Sequence, residues 1–236
     1  MNSLIRIRTL ALALWLAGPA LASADIVTLW NSGFANSGVI PDGRLSGWSD
    51  VRTVSDVVGS ISSLSVTLNL SGGCNGDLYA YLAHDTGYTV LLNRVGRGTG
   101  NALGYEDSGM NVTLTAGGSD IHNYQSGAYT LTAGQLTGIW APDGRAISPL
   151  APVGTFDTAG RTTFLSSFTG LNPNGSWTLF VADVSGGEQT TLTSWGLNIA
   201  SVPELASLAG GAVAVLFLGG AIGLYRKKKA SSAAKM

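Results

Sequence analysis

The sequence predicts an all-β fold for residues 25–201, an antiparallel β-sandwich of jelly-roll type. Short stretches alternate apolar and polar residues with a period of two, and no stretch of useful length shows the period of a helix. Glycine accounts for 27 of these 177 residues, about twice its usual ~7% share, and many glycines fall between the alternating stretches. Many short strands separated by turn signals are typical of a sandwich or barrel.

The alternating stretches predict the strands in chain order. They are Leu64–Leu70, Leu78–Leu82, Thr89–Val95, Val112–Leu114, Tyr129–Leu131, Thr162–Phe168, Trp177–Val181 and Trp195–Ile199. Each strand has one apolar face, which we expect to pack inward, and one polar face. A turn at Asp85-Thr86-Gly87 should join the second strand to the third, and Asp183 with Gly186-Gly187 should close a hairpin between the last two.

Two connections are longer than the others, residues 96–109 and 133–152. The first is rich in glycine and carries Glu106 and Asp107, whereas the second contains three prolines. Loops of this length in a sandwich are either functional or mobile.

Residues 1–24 have the organisation of a secretory signal peptide. Arg6 and Arg8 precede a short apolar run, and Ala22-Ser23-Ala24 provides a cleavage site with small residues. The apolar run, Leu10 to Ala17, is too short to span a bilayer. We therefore expect cleavage after Ala24 and export of the chain.

Residues 202–229 predict a membrane segment. The 21 residues from Leu205 to Tyr225 contain no charge, and a helix of this length measures about 31 Å, which matches a bilayer core. The basic cluster that follows should stop transfer and stay in the cytoplasm, together with residues 230–236. It consists of Arg226, Lys227, Lys228 and Lys229. The sequence thus predicts a single-pass inner-membrane intermediate with residues 25–201 outside and the helix in contact with lipid.

The tail also resembles the PEP-CTERM sorting signal of Gram-negative bacteria. Val202, Pro203 and Glu204 precede the apolar span and its basic stop, whereas Leu205 replaces the second proline of the usual Pro-Glu-Pro. The resemblance implies processing near Pro203-Glu204 by an exosortase, a membrane peptidase, followed by release to the cell surface or medium. The alternative is an ordinary anchor that is never cut. An exported surface or matrix protein also has extracellular polysaccharide as a candidate partner.

Three segments of the sandwich resemble the P domain that follows the catalytic domain of proprotein convertases. Residues 75–82 with 89–94 are similar to its "GDL-x-x-x-L … LL-x-R" pattern. Residues 174–183 are similar to "G-x-W-x-L-x-V-x-D", and residues 192–197 are similar to "L-x-x-W-x-L". The likeness extends over most of residues 55–200. It implies a β-sandwich without a protease active site, because the convertase active site lies in a separate domain.

Charge and histidine content limit the functions that remain. Residues 25–201 hold six arginines, no lysine and 13 acidic residues, a net charge of −7, which disfavours nucleic-acid binding. Cys74 is the single cysteine, so no internal disulfide forms. His84 and His122 lie near no recognisable nucleophile signature. We expect a non-catalytic surface protein; the alternative is a secreted hydrolase or a protease-associated module.

Two further features leave alternatives open. Carboxylates in glycine-rich turns are candidate ligands for Ca²⁺, or they are solvated turn residues. They are Asp77, Glu106, Asp107, Asp183 and Glu188, of which Asp77, Asp183 and Glu188 are the favoured metal ligands. Tyr79, Tyr81 and Tyr88 form either an exposed strip for glycan or protein contact or ordinary strand positions.

Overall fold

Ten strands and one short α-helix make up residues 24–203, the part of the chain that the computed structural model describes. The strands are β1 (Ala24–Trp30), β2 (Trp48–Val54), β3 (Ser60–Gly72), β4 (Leu78–His84), β5 (Gly87–Asn93), β6 (Gly109–Asp120), β7 (Thr130–Thr132), β8 (Gln135–Ala141), β9 (Gly175–Asp183) and β10 (Thr190–Val202). The helix, α1, is Val153–Thr158, and 3-10 turns occur at Ala35–Gly38, Asn75–Asp77, Ile121–Ser126 and Leu165–Phe168.

The predicted signal peptide up to Ser23, Glu204, the predicted span 205–225, the basic stop and residues 230–236 lie outside the described residues. Between residues 24 and 203, no helix combines the length and the apolar character that crossing a membrane requires.

The strands form two layers, which confirms the predicted all-β sandwich. One sheet has six strands in the order β1-β10-β3-β6-β8-β7, and the other has four in the order β2-β9-β4-β5. The prediction of a wholly antiparallel fold is wrong at one place, because β8 pairs with β6 in parallel. The chain turns back after β7 and inserts β8 between β7 and β6, so that β8 is antiparallel to β7 and parallel to β6.

The core lies between the layers and follows the predicted period of two. Along β4, Leu78, Ala80 and Leu82 are buried while Tyr79 and Tyr81 face outward and are half-buried. Trp177 on β9 and Trp195 on β10 are both fully buried. The indole nitrogens still find partners, since Trp195 donates to Asp50 Oδ2 at 2.7 Å and Trp177 donates to the Pro173 carbonyl at 2.9 Å.

The predicted hairpin between the two tryptophan strands is wrong. Strand β9 belongs to the four-stranded sheet, where β2 and β4 pair with its two edges. No edge of β9 is left for β10, which instead lies between β1 and β3 in the other sheet. The connection through Gly186-Gly187 therefore crosses from one layer to the other.

Two further local predictions need correction. Residues 162–168 form no strand; they end in the 3-10 turn Leu165–Phe168 and cover the edge of β5 with hydroxyl groups. Thr163 Oγ1 accepts from the Val90 amide, and Ser167 Oγ both accepts from and donates to the backbone of Tyr88. Residues 133–152, expected to be a loop, contain β8.

The first and last strands of the described chain are neighbours. Ala24 lies opposite Ser201 in the β1–β10 register, and Val202 still pairs with Ser60 on β3. Gly59 has a φ of +94°, and a Cβ there would lie 2.9 Å from Pro203 Cα. Pro203 is therefore packed directly against the sheet, and both ends of the described chain leave from the same end of the sandwich.

Candidate functional site

The connection between β5 and β6 forms the wall of a polar groove. Tyr105 lines three adjoining depressions of about 380, 420 and 360 Å³, which we call the loop groove. The connection folds back on its own beginning, because the Tyr105 amide donates to the carbonyl of Val95, two residues after the end of β5, at 3.0 Å. Gly96 has a φ of +79°, and a Cβ there would lie 2.5 Å from the Tyr105 ring, so this close approach requires glycine.

The first depression, the basic arm of the loop groove, combines the two long predicted loops. Arg97 comes from the first loop, Arg145 from the second, and His122 from the 3-10 turn after β6. The Arg97 guanidinium lies 5.4 Å from the centroid of the Phe156 ring and donates to the Ala102 carbonyl at 2.5 Å. The sequence predicts that these loops are either functional or mobile, but Arg97, Asp143 and Arg145 are not among the predicted site residues.

His122 is fixed by two acceptors. Its Nδ1 lies 2.7 Å from Asp143 Oδ2, and its Nε2 lies 3.1 Å from the Arg97 carbonyl oxygen. Asp143 is fully buried, and it also accepts from the Arg145 guanidinium, which donates at 2.9 Å to Asp120 as well. A histidine–carboxylate pair is therefore present, but its outer nitrogen faces a backbone carbonyl and not a nucleophile.

His84 lies outside the loop groove, at the end of β4. Its ring stacks on Trp177 with centroids 4.0 Å apart and planes 4° from parallel. Nδ1 lies 2.9 Å from the Ser176 carbonyl oxygen and Nε2 2.7 Å from the Asn172 carbonyl oxygen. These contacts tie the end of β4 to the start of β9 and to the segment before it.

The second depression, the acidic arm of the loop groove, contains three of the predicted carboxylates. Asp77, Glu106 and Glu188 line it together with Cys74. Asp77 forms an ion pair with Arg94 at 3.1 Å, yet burial outweighs that charge and raises the pKa of the Asp77 carboxyl. Burial, followed by the charge of Asp77, also raises the pKa of the Cys74 thiol to about 11, which disfavours the reactive thiolate.

Asp183 lies at the end of β9 and is fully buried. Burial and the charges of Asp77 and Asp42 raise the pKa of its carboxyl to about 6, against a hydrogen bond from the Ser185 amide that lowers it. Thr190 Oγ1 donates to Asp183 Oδ2 at 3.3 Å. Asp183 therefore carries a proton over a wider pH range than an exposed aspartate.

Two of the three predicted Ca²⁺ ligands are engaged by protein groups. Asp77 is engaged by Arg94, and Asp183 accepts from Ser185 and Thr190. Across residues 24–203, no group of three or more His, Cys, Asp or Glu side chains is placed to hold a metal. Calcium binding by Asp77, Asp183 and Glu188 stays a prediction.

The three tyrosines of the predicted strip lie together on the outer face of the four-stranded sheet. The Tyr79 and Tyr88 hydroxyl groups are 3.1 Å apart, and the Tyr81 ring stacks on Phe180 with centroids 4.8 Å apart. Tyr81 and Phe180 are directly opposed on β4 and β9, so this pair of rings contributes to the stability of the sheet.

Comparisons with known proteins support the P-domain resemblance over part of the chain. The family model described as the proprotein convertase P-domain matches residues 137–199. The match extends from β8 to β10 and includes two of the three segments on which the resemblance was based, 174–183 and 192–197. The segments 75–82 and 89–94 lie outside it.

Two solved structures are similar to this chain. One is the complex of the Aeromonas sobria serine protease with the chaperone ORF2, with 15% identity, a TM-score of 0.44, and 79% of this chain covered. The other is the serine protease of Aeromonas sobria, with 14% identity, a TM-score of 0.41, and 78% of this chain covered. In each case the similarity spans 28% of the solved chain. No curated protein matches this chain.

Proposed function

We propose that this chain is a non-catalytic exported protein whose P-domain-like sandwich is brought to the cell surface by its C-terminal tail and released there. The observation that carries the proposal is the pairing of the first and last strands. Ala24, at the predicted signal cleavage site, lies opposite Ser201, which is two residues before Pro203. Ala24 and Pro203 therefore lie at one end of the sandwich, which supports attachment of a membrane-bound intermediate at that end.

The short spacing between sheet and tail supports the same proposal. Val202 is still part of β10, and Pro203 packs at Gly59, so no linker separates the sandwich from Glu204. A sandwich held in this way stands directly at the outer membrane face while the tail is attached. Release by a peptidase such as an exosortase would then free the whole sandwich and leave the apolar span behind.

The histidine geometry supports a role without catalysis. His122 shares a depression with a carboxylate partner, but its Nε2 is directed at the Arg97 carbonyl, and no serine lines that depression among the described residues. His84 is held between two carbonyl oxygens and the Trp177 ring. Neither ring has a free nitrogen beside a hydroxyl or thiol that it would activate. Contact of the protein with extracellular polysaccharide stays a prediction.

The sorting proposal is tested by changing the motif and leaving the sandwich intact. In the full chain expressed in a Gram-negative host with an exosortase, Pro203→Ala with Glu204→Ala should abolish release, and the protein should accumulate in the inner membrane. The matched control is Ser231→Ala with Ser232→Ala in the predicted cytoplasmic tail, which should leave release unchanged. Immunoblots of membrane and surface fractions measure the outcome. Normal release of the Pro203/Glu204 variant would refute motif-directed processing.

A second candidate, a protease-associated module, is favoured by the P-domain match at residues 137–199. In that case, the affinity-tagged full chain should retain a serine protease from the exported fraction of its own cells. Hydrolysis of casein by the eluted material, inhibited by a serine-protease inhibitor, would favour this candidate over an independent surface protein.

A further inference from the structure

Each of the two sheets has two edge strands, and three of these four strands are protected against pairing with another chain. The edge of β5 is covered by loop hydrogen bonds, including those from the Asp143 and Gly144 amides to the Leu91 and Val90 carbonyls. Strand β2 carries the Asp50–Arg52 ion pair, and Arg52 also donates to the Ser32 carbonyl. Strand β7 has only three residues. Short length, charge and coverage are the usual means of preventing edge-to-edge pairing.

The fourth edge strand, β1, has none of these protections. It pairs with β10 continuously over seven residues without a bulge. Residues 26–30 contain no charge and no proline. Within the described part of the chain, no hydrogen bond from outside the β1–β10 pair reaches its backbone. An edge strand with regular pairing of this kind presents a row of free amide and carbonyl groups.

The outer face of β1 is apolar as well as open. Val27 is 72% exposed and Leu29 is 61% exposed, and both point to the same side of the strand. Trp30, on the other side, packs on Trp195 with ring centroids 4.5 Å apart, which fixes the strand against the core. Within the described residues, the edge is thus packed on its inner face, apolar on its outer face and unpaired.

We propose that β1 is the dimerisation edge of this protein and pairs with β1 of a second copy in antiparallel orientation. A two-fold axis makes such an edge self-complementary, because every residue of one copy meets the corresponding residue of the other reciprocally. An axis through Thr28 places Val27 of each copy opposite Leu29 of the other. The four apolar side chains then form one patch, and the two six-stranded sheets become one continuous sheet.

The charge distribution along β1 favours a second copy as the occupant. The sandwich is acidic, so association through most of its surface would bring carboxylates together. On β1 the only charge is Asp25, which the same two-fold axis places opposite Asn31 and not opposite another carboxylate. Like charges are therefore absent from directly opposed positions in this register. Because seven paired residues make a small interface, we expect a dimer that depends on concentration.

The test is the oligomeric state of the purified full chain in mild detergent with reducing agent, measured by sedimentation equilibrium from about 1 µM to about 1 mM. The wild type should pass from one copy to two, and Val27→Lys should raise the dissociation constant about tenfold or more. Leu29→Lys should act in the same direction. The control is Val51→Lys, because Val51 is similarly exposed, at 57%, but lies on β2; it should leave the dissociation constant within about twofold.

Circular dichroism and thermal unfolding establish that each variant is folded, which the exposure of Val27 and Leu29 leads us to expect. Three results would overturn the proposal: a single copy at every concentration, a dimer insensitive to both β1 variants, or a dimer weakened equally by Val51→Lys. A single copy that instead binds a different protein through β1 would also refute self-pairing.

Discussion

At the scale of single residues, burial changes the chemistry of side chains that look alike in the sequence. Asp77, Asp183 and Glu188 are all carboxylates in or beside glycine-rich turns. In the structure, Asp77 pairs with Arg94, Asp183 is fully buried, and Glu188 is exposed and approaches Cys74 Sγ at 3.8 Å. The glycine-rich turns of the sequence show where carboxylates occur, but the environment of each carboxylate depends on strands that are distant in sequence.

Asp183→Asn should stabilise the protein at neutral pH. The wild-type pKa of about 6 lies above the unfolded value of about 3.9, so the folded state keeps a proton that the unfolded state loses. The stability from Asp183 is therefore complete below about pH 3.9 and is lost as the pH rises through about 6. An amide has no charge to bury, and the variant should be more stable by up to about 3 kcal/mol at pH 7.5, with little difference near pH 4.

Urea unfolding at pH 4 and pH 7.5 measures this difference, and Asp25→Asn, at an exposed position on β1, is the control. Equal stabilisation at both pH values would contradict a proton-linked origin, and loss of stability at pH 7.5 would contradict the raised pKa of Asp183.

The pair His122 and Asp143 shows which part of the site the sequence does not reveal. Asp143 belongs to the second long predicted connection, whereas His122 lies between two predicted strands in a segment that the sequence does not single out, and the two residues are 21 positions apart. Their contact depends on the 3-10 turn after β6 and on the return of β8 beside β6, and neither follows from local alternation. The sequence therefore identified two of the connections that build the groove, but not the turn that carries His122 or the side chains that meet there.

At the scale of elements, alternation predicted the strands that have one buried face. Strands β4, β9 and the centre of β10 alternate cleanly and lie at the predicted positions. Strand β8 was missed because Gly138 interrupts its pattern and exposed Ile139 lies beside buried Trp140. The strand predicted at 162–168 has suitable residues, but its hydroxyl groups cap the edge of β5 instead of joining a ladder.

Gly196→Ala should weaken the pairing of β1 with β10. Gly196 lies in the middle of β10, and a Cβ there would collide with the Thr28 carbonyl oxygen and lie 2.9 Å from Thr67 Oγ1. Both neighbours belong to strands that flank β10, so neither can move without disturbing the sheet. We expect a loss of about 1–3 kcal/mol in the free energy of unfolding, as for other overpacked sites.

The control for this change is Gly117→Ala on β6, where no atom lies within 4 Å of the added Cβ. Urea unfolding should show a change within about 0.5 kcal/mol for the control. A Gly196 variant as stable as the wild type would contradict the close approach of β1, β10 and β3.

At the scale of the whole molecule, the sequence predicted the fold class but not the connectivity of the layers. Period-two alternation reveals that a strand has an inner face, but it does not reveal which sheet the strand joins. Trp177 and Trp195 illustrate this limit: both point into one core, as predicted, yet they do so from opposite layers. The crossing between β9 and β10 places β10 beside β1, which brings the two predicted processing sites together.

The intact mass of the protein recovered from the cell surface tests the central claim most directly. Export followed by release predicts a single species that begins at Asp25 and ends close to Pro203-Glu204, without the apolar span or the basic cluster. A surface species that still carries Lys229 would contradict release by processing at the C-terminal motif.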